Sequence, residues 1–526
     1  MDSGEELDRY TVALLEHLQQ PEQGTVQPPD DGLRDRIAGL RARTREEKEK
    51  TAPLVDLFVA LKEARETKGL TPEEFGIGRD ELLELARRHQ RLDEHFVSIG
   101  GRVDRALPLV SRANLRVDEY LARHRHEAPS GIELRDSIRE NRRRIQRALG
   151  MDDDEWHSYK GQLRHVISSV DELARLIDLS PSAVRDVTRV TENYRMRLTP
   201  YYTSLIMPGK VNDPIMLQAV PTGEMLDNGG IEIPPVAADH SPARLVDQFY
   251  PRTLTIKSTN MCAMYCTHCL RIAHIGRKDR IFSKQAYGEA LDYIRRNQRI
   301  RDVLITGGDA FVLPNAMIRR LLDELDDIDH VRVKRLGTRI PVTAPMRVDD
   351  ELLDILEASN ERGPVRVVTQ INTAREITPE SRRAFYLLSR RVSALLNQAV
   401  LLKGINDSRI KMWKLCETVQ EAHVRPYYIF NCSYRNPQFT HFRVPLERGR
   451  DIVESMYGNI SGDAIPRFIA TAGGKIPMHR SNVVERRGNT FLLRKPWNGE
   501  EVEYPDADPD LYADSRFSFA AYEVEE

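Results

Sequence analysis

From residue 253 onward the chain repeats one pattern: a short β-branched run, a loop, then a stretch with helical periodicity. The extended runs are 253–259, 302–306, 331–335, 365–369, 398–402 and 424–430, and helical spacing fills 317–325, 351–358, 379–389 and 410–423 between them. Strands alternating with helices of this length predict βαβ units and a parallel sheet. Six such strands predict an α/β fold, a partial (βα)6 barrel with its chemistry at the carboxyl ends of the strands.

The first of those ends carries three thiols. Cys262, Cys266 and Cys269 follow the run 253–259 in the order C-x-x-x-C-x-x-C. Thiols packed this closely on one loop are metal or cluster ligands far more readily than structural disulfides in a reducing compartment. A four-iron cluster normally takes four thiolates, so a set of three leaves one iron open. The spacing alone also admits a zinc site completed by His268 or a distant residue. Cys416 and Cys432 read as ordinary buried thiols.

Bulk properties exclude several classes. The 526 residues are too many for one ordinary core, so two or three units are expected. Charged residues make up 30% of the chain but nearly cancel, at net −2, so neither nucleic acid nor a membrane surface is indicated. The acidic start has no apolar segment, predicting no secretory signal, and no run is long enough to span a bilayer. The expected location is the cytoplasm. The first 150 residues read as a charged helical extension: Leu54, Leu57, Phe58 and Leu61 recur at helical spacing, as do Leu82, Leu85 and Ala86, and Thr71 to Glu74 looks like a capped helix start. Arg135, Arg139, Arg142, Arg143, Arg144 and Arg147 make a basic helix without interleaved aromatics, which reads as a solvated face.

Seven segments in order resemble the lysine 2,3-aminomutase family of radical S-adenosylmethionine (SAM) enzymes. They are 194–206, Cys262-Ala-Met-Tyr-Cys-Thr-His-Cys-Leu-Arg271, Leu304-Ile-Thr-Gly-Gly-Asp-Ala310, Leu401-Leu-Lys-Gly-Ile-Asn-Asp407, Val424-Arg-Pro-Tyr-Tyr428, His441-Phe-Arg443 and Gly473-Gly-Lys-Ile-Pro477. The resemblance implies an isomerase with a [4Fe-4S] cluster on the three cysteines, SAM on the open iron, and pyridoxal 5′-phosphate (PLP). SAM supplies a radical, PLP holds the migrating nitrogen, and an α-amino acid becomes a β-amino acid. By the same resemblance Lys475 binds PLP covalently, Tyr250 and Arg252 meet its phosphate, and Arg271 pairs with the substrate α-carboxylate. Gly307, Gly308 and Asp309 line SAM, as does Gln398, while His268 shapes the adenine site. Asp407 organises a turn. The family further implies an external one-electron reductant, a small amino-acid substrate and homo-oligomeric assembly.

The resemblance breaks at the substrate. Lysine-using members place one aspartate just after the cysteine that ends the Tyr-Tyr strand and another shortly before the PLP lysine. Here Ser433 follows Cys432, and the second place holds Ala470 or a neighbour. A buried substrate ammonium without a carboxylate is costly, so lysine is not the expected substrate. Arg435 and Arg467 lie near these places and are candidates for a side-chain carboxylate; a neutral substrate such as alanine or glutamine is equally compatible. Gln370 and Thr373 stand where the family carries histidines, and Phe249 where it carries a basic residue. No cysteine follows Cys432, so a C-terminal zinc site cannot form. The expected parts are the extension to 150, a helical lead-in over 151–250, the barrel over 251–435 and a PLP-lysine region over 436–526. Alternatives are an enzyme acting on a modified or carrier-bound amino acid, and a non-catalytic metal-binding scaffold.

Overall fold

The computed structural model describes residues 9–19, 29–97, 117–210, 212–227 and 240–508. The chain divides into two compact units, and along the chain the smaller runs to Glu127 and the larger begins at Ala128. The reason lies in the arginine-rich helix Arg135–Leu149, whose Ile138 and Ile145 enter the core of the larger unit. Its arginines face outward as read: Arg139 pairs with Asp136, and Arg142 with Asp153 at 2.7 Å.

The smaller unit is helical. Helices Asp31–Glu46, Ala52–Lys68 and Arg79–Val97 follow a first helix, Arg9–Gln19. Leu54, Leu57, Phe58 and Leu61 share one core with Leu82, Leu85 and Ala86, as their spacing predicted. Thr71 and Glu74 do form a capping box, but it opens only a 3-10 turn, Pro72–Phe75, which the left-handed Gly76 ends.

The larger unit is α/β and is built on a nine-stranded sheet whose strands follow chain order. The strands are β1 (Val246–Asp247), β2 (Thr253–Thr259), β3 (Asp302–Gly307), β4 (Val333–Gly337), β5 (Val365–Thr369), β6 (Ala394–Leu401), β7 (Arg425–Asn431), β8 (Arg467–Thr471) and β9 (Lys475–Pro477). Strands β2 through β8 pair in parallel, and antiparallel β1 and β9 close off the two edges. Helices Lys284–Arg296, Asn315–Asp326, Asp350–Arg362, Pro379–Ser389, Arg409–Glu421 and Leu446–Glu454 make the successive crossovers. Each packs an apolar face on the sheet; Ile318, Leu321, Leu322 and Leu325 do so in one of them. A separate antiparallel sheet, β10 (Val483–Arg487), β11 (Thr490–Arg494) and β12 (Glu501–Pro505), follows.

β1, β8, β9 and the three strands of the separate sheet were not among the six expected, and β6 and β8 show why. β6 begins four residues before 398, because Asn397 is a buried polar residue that the hydrophobic pattern rejects. Its amide is satisfied by both backbone groups of Ile371, accepting at 2.8 Å and donating at 3.0 Å. β8 was not expected, since its five residues lie between Pro466 and a glycine turn and read as loop.

Candidate active site

The cysteine loop leaves the carboxyl end of β2. Asn260, fully buried two residues before Cys262, donates to the carbonyls of Ile275 and Lys278 and fixes the loop's exit. The glycine loop after β3 lies directly against it. Asp309 N–H donates to the Met261 carbonyl at 2.9 Å, and a Cβ at Gly308 would overlap that same carbonyl, so only glycine permits the approach. The Asp309 carboxylate is engaged within the protein: it accepts from Thr338 Oγ1 and Arg339 N–H, both at 2.6 Å, and from Phe311 N–H. These contacts tie the loop after β3 to the segment after β4.

The three thiols are free and half-buried. Burial, with the neighbouring acidic groups, pushes the Cys262 thiol well up and Cys269 up to about 12. Their ionised form therefore requires added positive charge, as a metal cluster supplies. Among the described residues no three His, Cys, Asp or Glu side chains converge on a single ion. His268 does not join the thiols; it is buried, meets Asn372 Nδ2 at 3.3 Å, and burial lowers its pKa to about 3.

A buried network braces the loop from below. Arg339 donates to Cys266 Sγ at 2.9 Å, to Glu376 Oε1 at 2.6 Å and to Gln218 Oε1 at 2.5 Å. Tyr202 Oη donates to the same Glu376 oxygen at 2.9 Å, and Asn372 Nδ2 to Gln218 at 2.8 Å. Sequence reasoning missed this set, whose members come from segments 121 to 174 residues apart in the longest links. Its only local signal was the buried polar density of 369–376.

Across the sheet, β9 carries Lys475. Its N–H donates to Tyr250 Oη at 2.7 Å, and its ammonium lies 5.0 Å from the Tyr428 ring centre and 5.3 Å from that of Phe430. Burial, and then the guanidinium groups of Arg335 and Arg271, lower its pKa to about 8. Arg271 donates to Thr306 Oγ1 at 3.3 Å, so the arginine, the glycine loop and the lysine share one interior. The turn before Lys475 is closed by Trp497, which stacks edge-on against Tyr250 at 5.1 Å and would collide with any Cβ at Gly474.

Several polar atoms on these strands are buried and unpartnered: Thr369 Oγ1, Asn431 Oδ1 and Thr471 Oγ1 at the carboxyl ends of β5, β7 and β8, and Gln398 Nε2 within β6. Buried polar atoms without a partner are uncommon and signal a ligand that completes them. Gln398 thus fits a SAM contact, and the lowered, apolar-walled Lys475 amine fits a PLP attachment point. Ser433 is buried and its hydroxyl accepts the Arg435 N–H at 3.3 Å. Arg435 itself reaches Gly473, with Nη2 3.4 Å from where a Cβ would stand, and Lys495 Nζ is 3.2 Å from that point. Lys495 was not expected. Arg467, the first residue of β8, and Arg252, just before β2, are both exposed. At the second aspartate place the inward residue is the neighbour, Thr471, paired directly with Lys475 across β8 and β9. Asp407 accepts from Gly404 N–H at 2.9 Å and organises its turn as read.

The profile of the Radical SAM superfamily matches residues 256–412. The glutamate 2,3-aminomutase of Clostridioides difficile (strain 630) is 36% identical over 408 residues, covering 77% of this chain and 94% of that protein. The chain belongs to the lysine 2,3-aminomutase family. The L-lysine 2,3-aminomutase of Clostridium subterminale is 35% identical over 357 residues, covering 67% of this chain and 85% of that protein. That of Acetoanaerobium sticklandii is 36% identical over 364 residues, covering 68% and 86%. Family members are radical SAM isomerases that use a [4Fe-4S] cluster, SAM and PLP. Among the described residues no helix is long and apolar enough to cross a membrane.

Proposed function

We propose that this chain is a 2,3-aminomutase acting on an acidic amino acid of the glutamate class, built on a partial (βα)6 barrel. The observation that carries the substrate class is the pocket wall beside Lys475. Where lysine-using members hold two carboxylates, this wall offers the hydroxyls of Ser433 and Thr471; beside them lie Arg435, which is exposed, and Lys495, which pairs with Glu500 at 2.9 Å. A substrate ammonium would lack the two carboxylates of lysine-using members, whereas a side-chain carboxylate would have the planar Arg435 donor beside it. The 36% identity to a glutamate 2,3-aminomutase supports the same reading.

When bound, the cluster and SAM supply one-electron hydrogen abstraction, and PLP holds the nitrogen while it moves. The chain's own residues do the rest. Cys262, Cys266 and Cys269 would hold the cluster, with Arg339 keeping a charged donor on the Cys266 sulfur. Gly307, Gly308 and Gln398 would border SAM. Lys475, with its pKa lowered to about 8, presents a neutral amine to PLP far more often than an ordinary lysine does. Tyr250 fixes the strand that carries it, Tyr428 and Phe430 keep water from its amine, and Arg271 would hold the substrate α-carboxylate.

The test is an anaerobic assay of reconstituted protein with SAM, PLP and reductant, each amino acid supplied separately and products identified by chiral mass spectrometry. Glutamate or aspartate should yield its β-isomer, and Arg435→Ala should remove that preference. Turnover of a neutral amino acid in preference, or an Arg435→Ala variant that handles the acidic substrate normally, would overturn the substrate class.

A further inference from the structure

The loop 276–283 joins the short helix Ile272–Ile275, just after the last cysteine, to the helix Lys284–Arg296. It is bolted to the cysteine loop from two sides. Asn260 donates to Lys278 O at 2.8 Å and accepts from Arg280 N–H at 2.9 Å. Asp279 is engaged by Arg195 and, at 3.6 Å, by Arg197; both guanidinium groups lie over the Tyr265 ring, and Arg197 also donates to the Cys262 carbonyl at 3.3 Å. Backbone and acid are thus directed inward.

What faces out is different. Ile281 is 97% exposed, and Arg277, Lys278, Arg280 and Lys284 around it are all exposed. None of these four cations has a carboxylate partner among the described residues, since the loop's one acid is held by Arg195 and Arg197. A lone exposed isoleucine is unremarkable on a monomer surface. An apolar knob ringed by cations that no described carboxylate neutralises (Arg277 donates to the Asn193 amide oxygen at 3.0 Å), on a loop held by buried hydrogen bonds, instead has the anatomy of a small interface with an apolar centre and a charged rim.

We propose that the loop 276–284 is the docking surface for a small acidic one-electron carrier protein, which reduces the cluster held by the adjacent cysteines. The proposal rests on the cluster-binding reading of those cysteines. The charge names the partner: four exposed cations that no described carboxylate neutralises steer an acidic protein and repel a basic one. The position names its task, because the loop is hydrogen-bonded to the residue two before Cys262. One electron passes from reduced carrier to oxidised cluster; the carrier is oxidised by one electron, the cluster is reduced by one, and no bond or proton moves.

The test uses the full-length, cluster-loaded enzyme and a purified acidic flavodoxin as the probe. Binding of the oxidised flavodoxin is measured by fluorescence anisotropy across a salt series, for the parent protein and for Lys278→Glu/Arg280→Glu and Ile281→Ala variants. SAM cleavage is then driven either by reduced flavodoxin or by dithionite. The charge-reversed variant should bind flavodoxin at least about 10-fold more weakly with a flatter salt dependence. Its flavodoxin-driven cleavage should fall in proportion, while iron content and dithionite-driven cleavage stay at the parent level. Ile281→Ala should weaken binding at every salt concentration without changing the slope. Unchanged binding in both variants would overturn the proposal. So would an equal loss under dithionite, which would make the loop merely structural, or a change in assembly size by light scattering, which would make the face a contact between copies. A parent protein that holds iron but lacks dithionite-driven cleavage would instead count against the cluster reading itself.

Discussion

The two ends of this active site are built on opposite plans. Around the cysteines nearly every charge is matched: Arg339 has Glu376, Gln218, Tyr202 and a cysteine sulfur, and Asp309 has three donors. Around Lys475 the protein withholds partners: its amine faces two aromatic rings, the guanidinium groups of Arg335 and Arg271 repel it, and Thr471 keeps an unpartnered polar atom. The cluster end is preorganised to stay as it is, and the lysine end is left incomplete so that ligands finish it. Paired buried charges give rigidity, and unpaired ones store reactivity.

The sharpest way to break the contrast is to remove one group at each end. Cys266→Ala should abolish iron incorporation and all SAM cleavage, read by iron analysis and product chromatography. Lys475→Ala should also abolish aminomutation and covalent PLP attachment, yet leave iron content and SAM binding in place. If both variants lost the cluster, the two ends would not be separable. Next in size is Arg339→Met, which strands the fully buried Glu376 carboxylate and should destabilise the larger unit by about 3–5 kcal/mol in denaturant unfolding. Arg339→Lys should recover only part, because an ammonium cannot reproduce the forked contacts.

Arg435→Ala should cost a smaller amount, about 10- to 100-fold in kcat/KM for an acidic substrate, the worth of one charge-assisted hydrogen bond. The effect should be absent for PLP binding alone. The smallest expected signal is pH dependence at Lys475. Its pKa is lowered from 10.5 to about 8, so its neutral fraction rises about tenfold per pH unit below 8 and levels above it. The rate of covalent PLP attachment, followed by visible absorbance, should trace that curve. For stability the sign follows from proton counting: between about pH 8 and 10.5 the unfolded chain holds a proton that the folded lysine has lost. The penalty of burying the amine is therefore full below pH 8 and is relieved as pH rises.

Much of this was readable in the sequence because it is local. The strand–helix alternation, the cysteine spacing and the Gly-Gly-Lys turn each lie within a few residues, and all three reappear in the structure. The braces were not readable: Arg339, Glu376, Gln218 and Asn372 meet only because the sheet brings distant segments together. Asn397 shows the converse, a polar residue whose burial depends on a partner 26 positions away and which therefore obscured the start of its own strand. Arg467 stands exposed at the first position of β8; sequence proximity to the lysine says nothing about which end of a strand a side chain occupies.

The pairing of Thr471 with Lys475 across β8 and β9 has a further consequence. Alternate residues of a strand point to opposite faces, so the direction of the lysine is set by the number of residues in the turn between them. Only Ala472, Gly473 and Gly474 lie there. Lengthening or shortening that turn by one residue would aim Lys475 at the helices rather than the interior, with every cofactor contact intact in composition and lost in space. The count of residues in this hairpin is thus as much a catalytic specification as the amine it delivers.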